Sequence, residues 1–325
     1  MTKGVDLSAI YGPVREGMSQ VEGIFGELRG LARQDILPLL DQTLHYGGKR
    51  LRPALTLLSG APFEYRPHTL HPMAAAMELF HTATLVHDDI VDASSLRRGR
   101  ATINSMWGDG AAVLLGDFFF AHSARLVAST DNLRVINLFA KMLMAISGSE
   151  LAQNLSTMEQ RLDYDHYIDW IGAKTASLFA TATESGAVLG GSGEDGIQAL
   201  KAYGHHFGLA FQIVDDILDF VGQEQDLGKP VGADLVQGNP TLPTILFVAG
   251  HPQGADLRRA LTDGGDAEAV KKAVALIPGT DVIAECRQIA RGFTKQALKA
   301  LDAVPPCPST RALSDLATYI MSRSR

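Results

Sequence analysis

Residues 73–100 read M-A-A-A-M-E-L-F-H-T-A-T-L-V-H-D-D-I-V-D-A-S-S-L-R-R-G-R, a mostly apolar segment that ends in three aspartates and three arginines. Residues 73–92 contain neither Gly nor Pro and predict a buried helix. On that helix Asp88 and Asp92 share a face, with about 6 Å between their Cβ atoms. Carboxylates at a buried helix end need a cation, and their oxygens suit Mg²⁺ or Mn²⁺. The alternative is an acidic helix end that faces water.

A second acidic segment favours the metal site over a solvated helix end. Residues 208–220 read G-L-A-F-Q-I-V-D-D-I-L-D-F and repeat the D-D-x-x-D spacing at the end of another apolar run. If the two clusters face each other across a helical bundle, they form a cage for several divalent cations. Phosphate oxygens of a substrate would complete the ligand shells of those ions. The predicted metal ligands are Asp88, Asp89, Asp92, Asp215, Asp216 and Asp219.

A basic turn is predicted at residues 47–53, which read G-G-K-R-L-R-P. The glycines end one helix and Pro53 suits the first turn of the next, so the cations lie at a helix N-terminus. Backbone N–H groups and the helix dipole favour an anion there, which predicts a diphosphate site. An ordinary basic turn on the surface is the alternative. The cations of this turn are Lys49, Arg50 and Arg52.

Further basic side chains flank the first acidic cluster. Arg97, Arg98 and Arg100 follow it directly, and they could either grip a phosphate group or balance the charge of the aspartates. His81 lies two helical turns before Asp88 and could reach the same phosphate, although a lone His on an apolar helix is more often a core residue.

Two lysines lie in segments with distinct composition. Lys174 and Thr175 belong to I-G-A-K-T-A-S-L-F-A, a helix of small residues in which a buried Lys requires an anionic partner.

Lys229 and Asp234 belong to a Gly-rich segment that follows Asp219. That segment predicts a flap that closes over a phosphate group and excludes water.

The composition of the 325 residues limits the classes of function. The chain is 46% hydrophobic and 20% charged, which is ordinary for a globular protein, and its net charge of −7 argues against a nucleic-acid partner. Cys286 and Cys307 lack the spacing of a metal or redox motif and predict structural thiols in a reducing compartment. Signal-peptide and membrane-span patterns are missing, which predicts a cytoplasmic protein. Strand alternation is missing as well, so the predicted class is all-α.

The motifs together resemble the trans-polyprenyl diphosphate synthases of the polyprenyl synthetase family. The resemblance runs from about residue 20 to the end of the chain, and the order and spacing of the motifs match. It implies an isoprenoid synthase fold, a large single-domain helical bundle of residues 1–325 around a deep central cavity. It also implies a homodimer, to which the N-terminal helices within residues 1–46 could contribute. The matching stretches are G-G-K-R-L-R-P at 47–53, L-V-H-D-D-I-V-D with R-R-G-R at 85–100, G-A-K-T-A-S-L-F at 172–179 and F-Q-I-V-D-D-I-L-D at 211–219.

The implied reaction is a head-to-tail condensation of two diphosphates. Mg²⁺, about three ions per active site with Mn²⁺ as an alternative, helps the diphosphate of an allylic substrate to leave. The double bond of isopentenyl diphosphate attacks the allylic cation, and the departing diphosphate takes the proton that is lost. The resemblance assigns catalysis to Asp88, Asp92, Asp215, Lys174 and Arg97. It assigns isopentenyl diphosphate to Gly48, Lys49, Arg52, His81 and Arg98, and the allylic diphosphate to Arg97, Lys174, Thr175, Gln212 and Lys229.

One position departs from the family pattern. Asn239 stands in Q-G-N-P-T-L-P where members often carry Lys, which weakens the assignment of this segment as a flap.

The helix face before Asp88 bears on product length. Ala83 and Phe80 lie about 7.5 and 12 Å before Asp88 along the helix axis. Family members that make short products carry an aromatic residue at the Ala83 position, so Ala83 and Thr84 predict a medium-to-long product of the quinone side-chain type, with Phe80 as the next candidate floor.

Three alternatives remain open at this stage. The first is a short-chain synthase that makes farnesyl or geranylgeranyl diphosphate. The second is a class I terpene cyclase, although its second metal motif typically combines Asn, Ser or Thr with Glu. The third is a non-catalytic subunit of another synthase, against which the intact acidic and basic segments argue.

Overall fold

The computed structural model describes residues 6–44, 48–97, 99–222, 231–263 and 266–323. Within these residues the chain is helical apart from one short hairpin, which confirms the predicted all-α class. The hairpin pairs β1 (Leu96–Arg97) with β2 (Arg100–Ala101) in antiparallel register. It follows the first acidic cluster directly, so the chain reverses at the point where the apolar helix ends.

The helices follow one another with short connections. From the N-terminus they are α1 Leu7–Ile10, α2 Arg15–Leu31, α3 Leu37–Leu44, α4 Leu51–Gly60, α5 Pro67–Val91, α6 Ile103–Trp107, α7 Asp109–Ala128, α8 Leu133–Leu155 and α9 Met158–Arg161. They continue with α10 Tyr164–Ile171, α11 Ser177–Leu189, α12 Glu194–Val221, α13 Ala233–Val236, α14 Leu242–Gly250, α15 Gly254–Thr262, α16 Ala267–Leu276, α17 Val282–Ala300 and α18 Pro308–Met321. Short 3₁₀ segments lie at Gly12–Val14, Ile277–Gly279 and Leu301–Ala303.

The chain folds into two compact units, each assembled from three segments. Helices α8, α11, α12, α17 and α18 contribute residues to both units. That residues 1–325 form one domain around a deep central cavity stays a prediction. Unit 1 comprises Met1–Lys141, Phe179–Gly204 and Ala300–Leu316, and unit 2 comprises Met142–Leu178, His205–Lys299 and Ala317–Arg325.

Helix α5 lies at the centre of unit 1, where it packs against α2, α4 and α7. Its residues 73–77 are all fully buried, because the sequence there is Ala and Met on every face of the helix. The helix begins at Pro67, earlier than the apolar run that starts at residue 73. Pro67 occupies the first turn, where a missing N–H and a fixed φ cost nothing.

A close approach of two helices in unit 1 explains one glycine. A Cβ at Gly186 on α11 would lie 2.3 Å from the carbonyl oxygen of Thr56 on α4, which real Cβ atoms do not tolerate. The small residues of the α11 segment therefore serve helix packing. This packing fixes α4, and the basic turn that precedes it, against the body of unit 1.

Unit 2 contains a local departure from α-helical geometry. Between α10 and α11, residues Gly172–Ala176 form a π-helical turn that holds Lys174 and Thr175. Such turns insert one residue into a helix and are frequent at functional sites. The predicted helix over this stretch is thus confirmed, but its backbone hydrogen bonds follow the i→i+5 pattern of a π-helix and not the i→i+4 pattern of an α-helix.

Helices α7 and α8 are long and apolar enough, by length and composition, to cross a membrane. Less than half of the apolar window of each helix is buried. Leu114, Leu133 and Met144 are among the large apolar side chains on their exposed faces. Two such helices are weak evidence for a membrane span, since helices that pack against other protein pass the same test. They do show an apolar surface that requires cover.

Candidate active site

The first acidic cluster lies at the C-terminal end of α5. Asp88 is half-buried in the last turn, and Asp92 caps the helix and is exposed. The N–H of Asp92 donates to the carbonyl of Asp88 over 2.8 Å, so the two residues sit on one face of the same closing turn. This is the arrangement that the spacing of four residues predicts.

Asp89 has a different environment from its two neighbours. It is 2% exposed, and Nε of Arg97 donates to its Oδ1 over 2.7 Å. Burial raises the pKa of Asp89, and the guanidinium of Arg97 opposes that rise. The carbonyl of Asp89 accepts from the N–H of Ser94 and the side-chain amide of Asn104, which ties the hairpin to the helix end. Arg97 therefore balances charge here, and its predicted phosphate contact stays a prediction.

The second acidic cluster lies near the C-terminal end of α12 in unit 2. The side chain of Asp215 is 40% exposed, and Nη2 of Arg323 lies 2.8 Å from its Oδ1. Asp216 is 3% exposed, and Asp219 is buried as well. The N–H of Gly232, the residue directly before α13, donates to the carbonyl of Asp219 over 2.8 Å and so links the start of α13 to this helix end.

A buried hydrogen-bond network surrounds Asp216. Its Oδ2 accepts from the hydroxyl of Tyr167 over 2.5 Å, and its Oδ1 accepts from the amide of Gln212 over 2.9 Å. Gln212 in turn accepts from the hydroxyl of Thr175 over 2.8 Å. Burial raises the pKa of Asp216 to about 7, although Tyr167 and Gln212 both favour the charged form. The network thus brings together Thr175 and Gln212, two residues that the sequence predicts at one substrate.

Lys174 has the anionic partner that the sequence requires. Its Nζ donates to Oε2 of Glu150 over 2.7 Å, and the ring of Trp170 lies 5.5 Å from the ammonium. The indole N–H of Trp170 donates to the other oxygen of Glu150 over 3.1 Å. The expected ion pair is confirmed, and Glu150, whose role the sequence does not reveal, supplies it.

The basic turn before α4 divides its cations between two roles. Gly48 is exposed and Lys49 is half-buried, with its carbonyl accepting from the hydroxyl of Tyr11. The guanidinium of Arg52 lies 4.7 Å from the ring centroid of Phe179. Arg50 instead forms ion pairs with Glu22 and Glu78 of unit 1, so its charge is already balanced within the protein. His81, which the sequence groups with these cations, is half-buried on α5.

The predicted site residues fall into two sets, one in each unit. Arg98 and Lys229 lie outside the described residues. Within the described ranges, no group of three or more His, Cys, Asp or Glu side chains is already arranged to hold one metal ion. Asn239 donates its backbone N–H to the carbonyl of Asp234 over 2.8 Å, directly after α13. Unit 1 holds Gly48, Lys49, Arg52, His81, Asp88, Asp89, Asp92 and Arg97, and unit 2 holds Lys174, Thr175, Gln212, Asp215, Asp216 and Asp219.

Sequence reasoning missed two residues that contact the second acidic cluster. Tyr167 lies 49 residues before Asp216 in a stretch without a motif, and Arg323 is the last described residue of the chain. An arginine that follows a helix is a weak signal, and a single Tyr on an amphipathic helix is none. Only the fold brings them to α12.

Comparisons with known proteins place this geometry in one family. Residues 33–277 match the family model described as polyprenyl synthetase. The chain is 35% identical over 324 residues to heptaprenyl diphosphate synthase component 2 of Geobacillus stearothermophilus, covering 98% of this chain and 99% of that protein. A polyprenyl synthase of Caulobacter crescentus, solved with calcium and isoprenyl diphosphate, aligns with a TM-score of 0.91 at 33% identity over 100% of both chains. A decaprenyl diphosphate synthase of Rhodobacter capsulatus aligns with a TM-score of 0.88 at 36% identity, covering 98% of this chain and 100% of that one.

Proposed function

The chain belongs to the polyprenyl synthetase family and is a prenyltransferase with the isoprenoid synthase fold, and from this premise we propose its substrates, metal and product. It condenses isopentenyl diphosphate with an allylic diphosphate and makes a medium-to-long all-trans polyprenyl diphosphate. Support for the length comes from relatives whose names specify heptaprenyl and decaprenyl products. A short-chain synthase remains the second candidate, because geranylgeranyl diphosphate synthases with solved structures also share the fold.

One observation carries the proposal, and it appears in both acidic clusters. The middle aspartate of each D-D-x-x-D is buried and held by an inward partner, Asp89 by Arg97 and Asp216 by Tyr167. The first aspartate of each, Asp88 or Asp215, is half-buried and keeps part of its surface in contact with solvent. A solvated acidic face has no reason to anchor its central carboxylate twice in this way. A site that presents its first carboxylate to a cation has such a reason.

The donor chemistry of these clusters fits a divalent metal. Carboxylate oxygens at a spacing of four residues are hard ligands of the kind that Mg²⁺ selects, with Mn²⁺ as an alternative. Asp88, Asp92 and Asp215 would hold the ions. The buried Asp89 and Asp216 would help to position those three side chains. That Asp89, Asp216 and Asp219 bind metal directly, and that three ions bind, stays a prediction. Bound Mg²⁺ supplies charge neutralisation to a departing diphosphate.

The basic side chains supply the rest of the electrostatics. Lys49, Arg52 and His81 would bind isopentenyl diphosphate beside the N-terminus of α4, where backbone N–H groups also favour an anion. Lys174 and Thr175 would bind the allylic diphosphate, Lys174 exchanging Glu150 for a phosphate oxygen. Donors that are already in place as negative charge grows on the leaving group lower the barrier without reorganisation. Arg97, Arg98 and Lys229 remain predicted contributors.

The exposed apolar surface of α7 and α8 supports a homodimer. Large apolar residues of unit 1 such as Leu114 and Leu133 are exposed there, and a second copy would cover them. That the protein is cytoplasmic stays a prediction. Sedimentation analysis of the detergent-free protein tests the homodimer, since a monomer that stays soluble would contradict it. A contribution of residues 1–46 to the interface stays a prediction.

The decisive experiment is an assay of the purified protein alone with Mg²⁺, an allylic primer and labelled isopentenyl diphosphate. The expected result is a product of medium-to-long carbon number by chromatography. Asp88→Ala and Asp215→Ala should each reduce turnover by about 10²-fold or more, as removal of a group that stabilises transition-state charge does. Asp256→Ala is the matched control, because Asp256 is an exposed aspartate that forms an ion pair with Arg259 one turn along the same helix. No turnover by the wild type would favour a non-catalytic subunit, and a short product would refute the proposed length.

A further inference from the structure

The last described residue of the chain makes contact with the second acidic cluster. Nη2 of Arg323 lies 2.8 Å from Oδ1 of Asp215, and its guanidinium lies 4.6 Å from the ring centroid of Phe211. We propose that Arg323 neutralises Asp215 in the metal-free protein, and that a divalent cation binds at Asp215 only by displacing this guanidinium. The inference rests on the proposed function, because it takes Asp215 as a metal ligand.

The contact has the properties of a built site rather than of a loose chain end. The side chain of Arg323 is only 9% exposed, although an arginine that follows a terminal helix normally extends into water. Phe211 and Asp215 lie four residues apart on α12 and therefore form one face, with an aromatic ring and a carboxylate side by side. An arginine matches both, since its planar guanidinium stacks on a ring while it donates to a carboxylate.

The backbone holds the arginine at this position. The N–H of Arg323 donates to the carbonyl of Ile320 over 3.2 Å, which continues the turning chain beyond the end of α18 at Met321. Tyr319 accepts from Ser322 in the same turn. The hydrogen-bonded turn at the end of α18 thus places the guanidinium beside α12.

The electrostatics of the cluster explain why such a cation is needed. Asp215, Asp216 and Asp219 lie within five residues, and only Asp215 is open to solvent. Without a metal, the guanidinium of Arg323 balances the charge of the Asp215 carboxylate through a charge-assisted hydrogen bond. Arg323 and a metal ion would use the same carboxylate, so each lowers the apparent affinity of the other. This exchange is reciprocal by linkage.

The test measures metal binding without substrate and therefore without turnover. Mn²⁺ is titrated into the full chain and the free ion is followed by electron paramagnetic resonance. Arg323→Gln should bind Mn²⁺ about threefold to tenfold more tightly than the wild type, the range expected when one partly exposed ion pair no longer competes. Arg323→Lys should lie between the two, because lysine keeps the charge but loses the planar fork and the stack on Phe211.

A control removes an exposed arginine–carboxylate ion pair elsewhere in unit 2. Arg258 donates to Glu159 over 2.6 Å, and Arg258→Gln should leave Mn²⁺ affinity unchanged. In EDTA, Arg323→Gln should also melt at a lower temperature than the wild type, with the difference removed by saturating Mn²⁺. Circular dichroism confirms that each variant is folded before it is titrated.

The outcomes separate this inference from the proposed function. If Asp215→Ala does not weaken Mn²⁺ binding, the assignment of Asp215 as a metal ligand is wrong, and the competition fails with it. If Asp215→Ala weakens binding while Arg323→Gln leaves it unchanged, only the competition is overturned. Weaker Mn²⁺ binding by Arg323→Gln would also overturn it, because that result would make Arg323 a support for the metal site.

Discussion

The hydroxyl of Tyr167 donates to Oδ2 of Asp216 over 2.5 Å, and both side chains are buried within unit 2. Gln212 holds the other oxygen of Asp216, so the carboxylate is fixed from α10 and from the preceding turn of α12. The contact with Tyr167 holds this part of α12 against α10. The direction of Asp215, one residue earlier, therefore depends on the phenol of Tyr167.

Tyr167→Phe should reduce both stability and catalysis. The loss of a hydroxyl from a buried carboxylate should cost about 1–3 kcal/mol in the free energy of unfolding, measured by urea denaturation. If Asp215 loses its orientation, kcat should fall by about tenfold with little change in KM for either substrate. Steady-state kinetics at saturating Mg²⁺ measures the split.

Tyr203→Phe is the matched control for that variant. Tyr203 is also fully buried, and its hydroxyl donates to the carbonyl of Leu313 over 2.7 Å within unit 1. It should lose a comparable free energy of unfolding and keep the kinetics of the wild type. An equal fall of kcat in both variants would show that loss of stability alone explains the effect of Tyr167→Phe.

Arg50 stabilises the conformation of the basic turn, while its own charge is balanced by glutamates of the protein. It has a left-handed backbone conformation, with φ of 47°, immediately before α4. Its guanidinium donates to Glu22 over 2.8 Å and to the buried Glu78 over 3.1 Å, and it lies 5.2 Å from the ring centroid of Phe25. The left-handed conformation of a non-glycine residue costs about 1–2 kcal/mol, and these contacts offset it. The direction of Lys49 follows from that conformation.

Arg50→Lys should therefore weaken the binding of one substrate more than the other. Lysine keeps the charge but cannot donate to two carboxylates and stack on Phe25 at once. We expect KM for isopentenyl diphosphate to rise by about tenfold, roughly 1.4 kcal/mol of binding, with a smaller rise for the allylic diphosphate. Arg29→Lys is the control, since Arg29 forms an exposed pair with Asp41 in the same unit. Equal increases in both KM values would contradict a role confined to the basic turn.

The sequence predicts those features that depend on local spacing. The all-α class, the helix start at the basic turn and the shared face of Asp88 and Asp92 all follow from periodicity and from the positions of Gly and Pro. The inward direction of Asp89 follows from the same geometry, because each helical residue turns by about 100° from the one before. The sequence predicts all six aspartates as metal ligands, and whether the buried Asp89, Asp216 and Asp219 bind metal directly stays a prediction.

The partners of the acidic clusters could not be predicted, because they come from distant parts of the chain. Nothing local to Tyr167 or Arg323 distinguishes them from other residues of amphipathic helices. The sequence predicts the helix from residue 73, but α5 begins at Pro67, because prolines are as common in the first turn of a helix as in the loop before it. Tertiary packing decides between such alternatives, and a single sequence does not contain it.

The two thiols should differ sharply in reactivity. Cys286 is fully buried, and burial raises the pKa of its thiol to about 12, whereas Cys307 is half-exposed. Because the thiolate is the reactive form, a disulfide reagent should modify one thiol rapidly in the native protein and two after denaturation. The substitution Cys307→Ser should remove the rapid phase. Rapid modification of two thiols under native conditions would show that the packing around Cys286 opens readily.

The length of the product is expected to depend on the face of α5 that holds Ala83. Ala83 is buried, and one turn earlier the ring of Phe80 packs edge-to-face against Phe120 and Phe139, at centroid distances of 5.8 and 5.6 Å. These three rings form a rigid apolar group beyond Ala83 along the helix. A larger side chain at position 83 would therefore meet a growing prenyl tail before the tail meets the rings.

Ala83→Phe should shorten the product by at least one isoprene unit, and Phe80→Ala should leave it unchanged or lengthen it. The added ring in a packed environment should also cost about 1–3 kcal/mol in the free energy of unfolding, so the variant is assayed at a temperature where it remains folded. Chromatography of the dephosphorylated products measures both changes. Because the two substitutions act in opposite directions, a general loss of stability cannot produce the expected pattern. An unchanged distribution of products in Ala83→Phe would show that the tail does not follow this face of α5, and a neighbouring helix would then have to set its length.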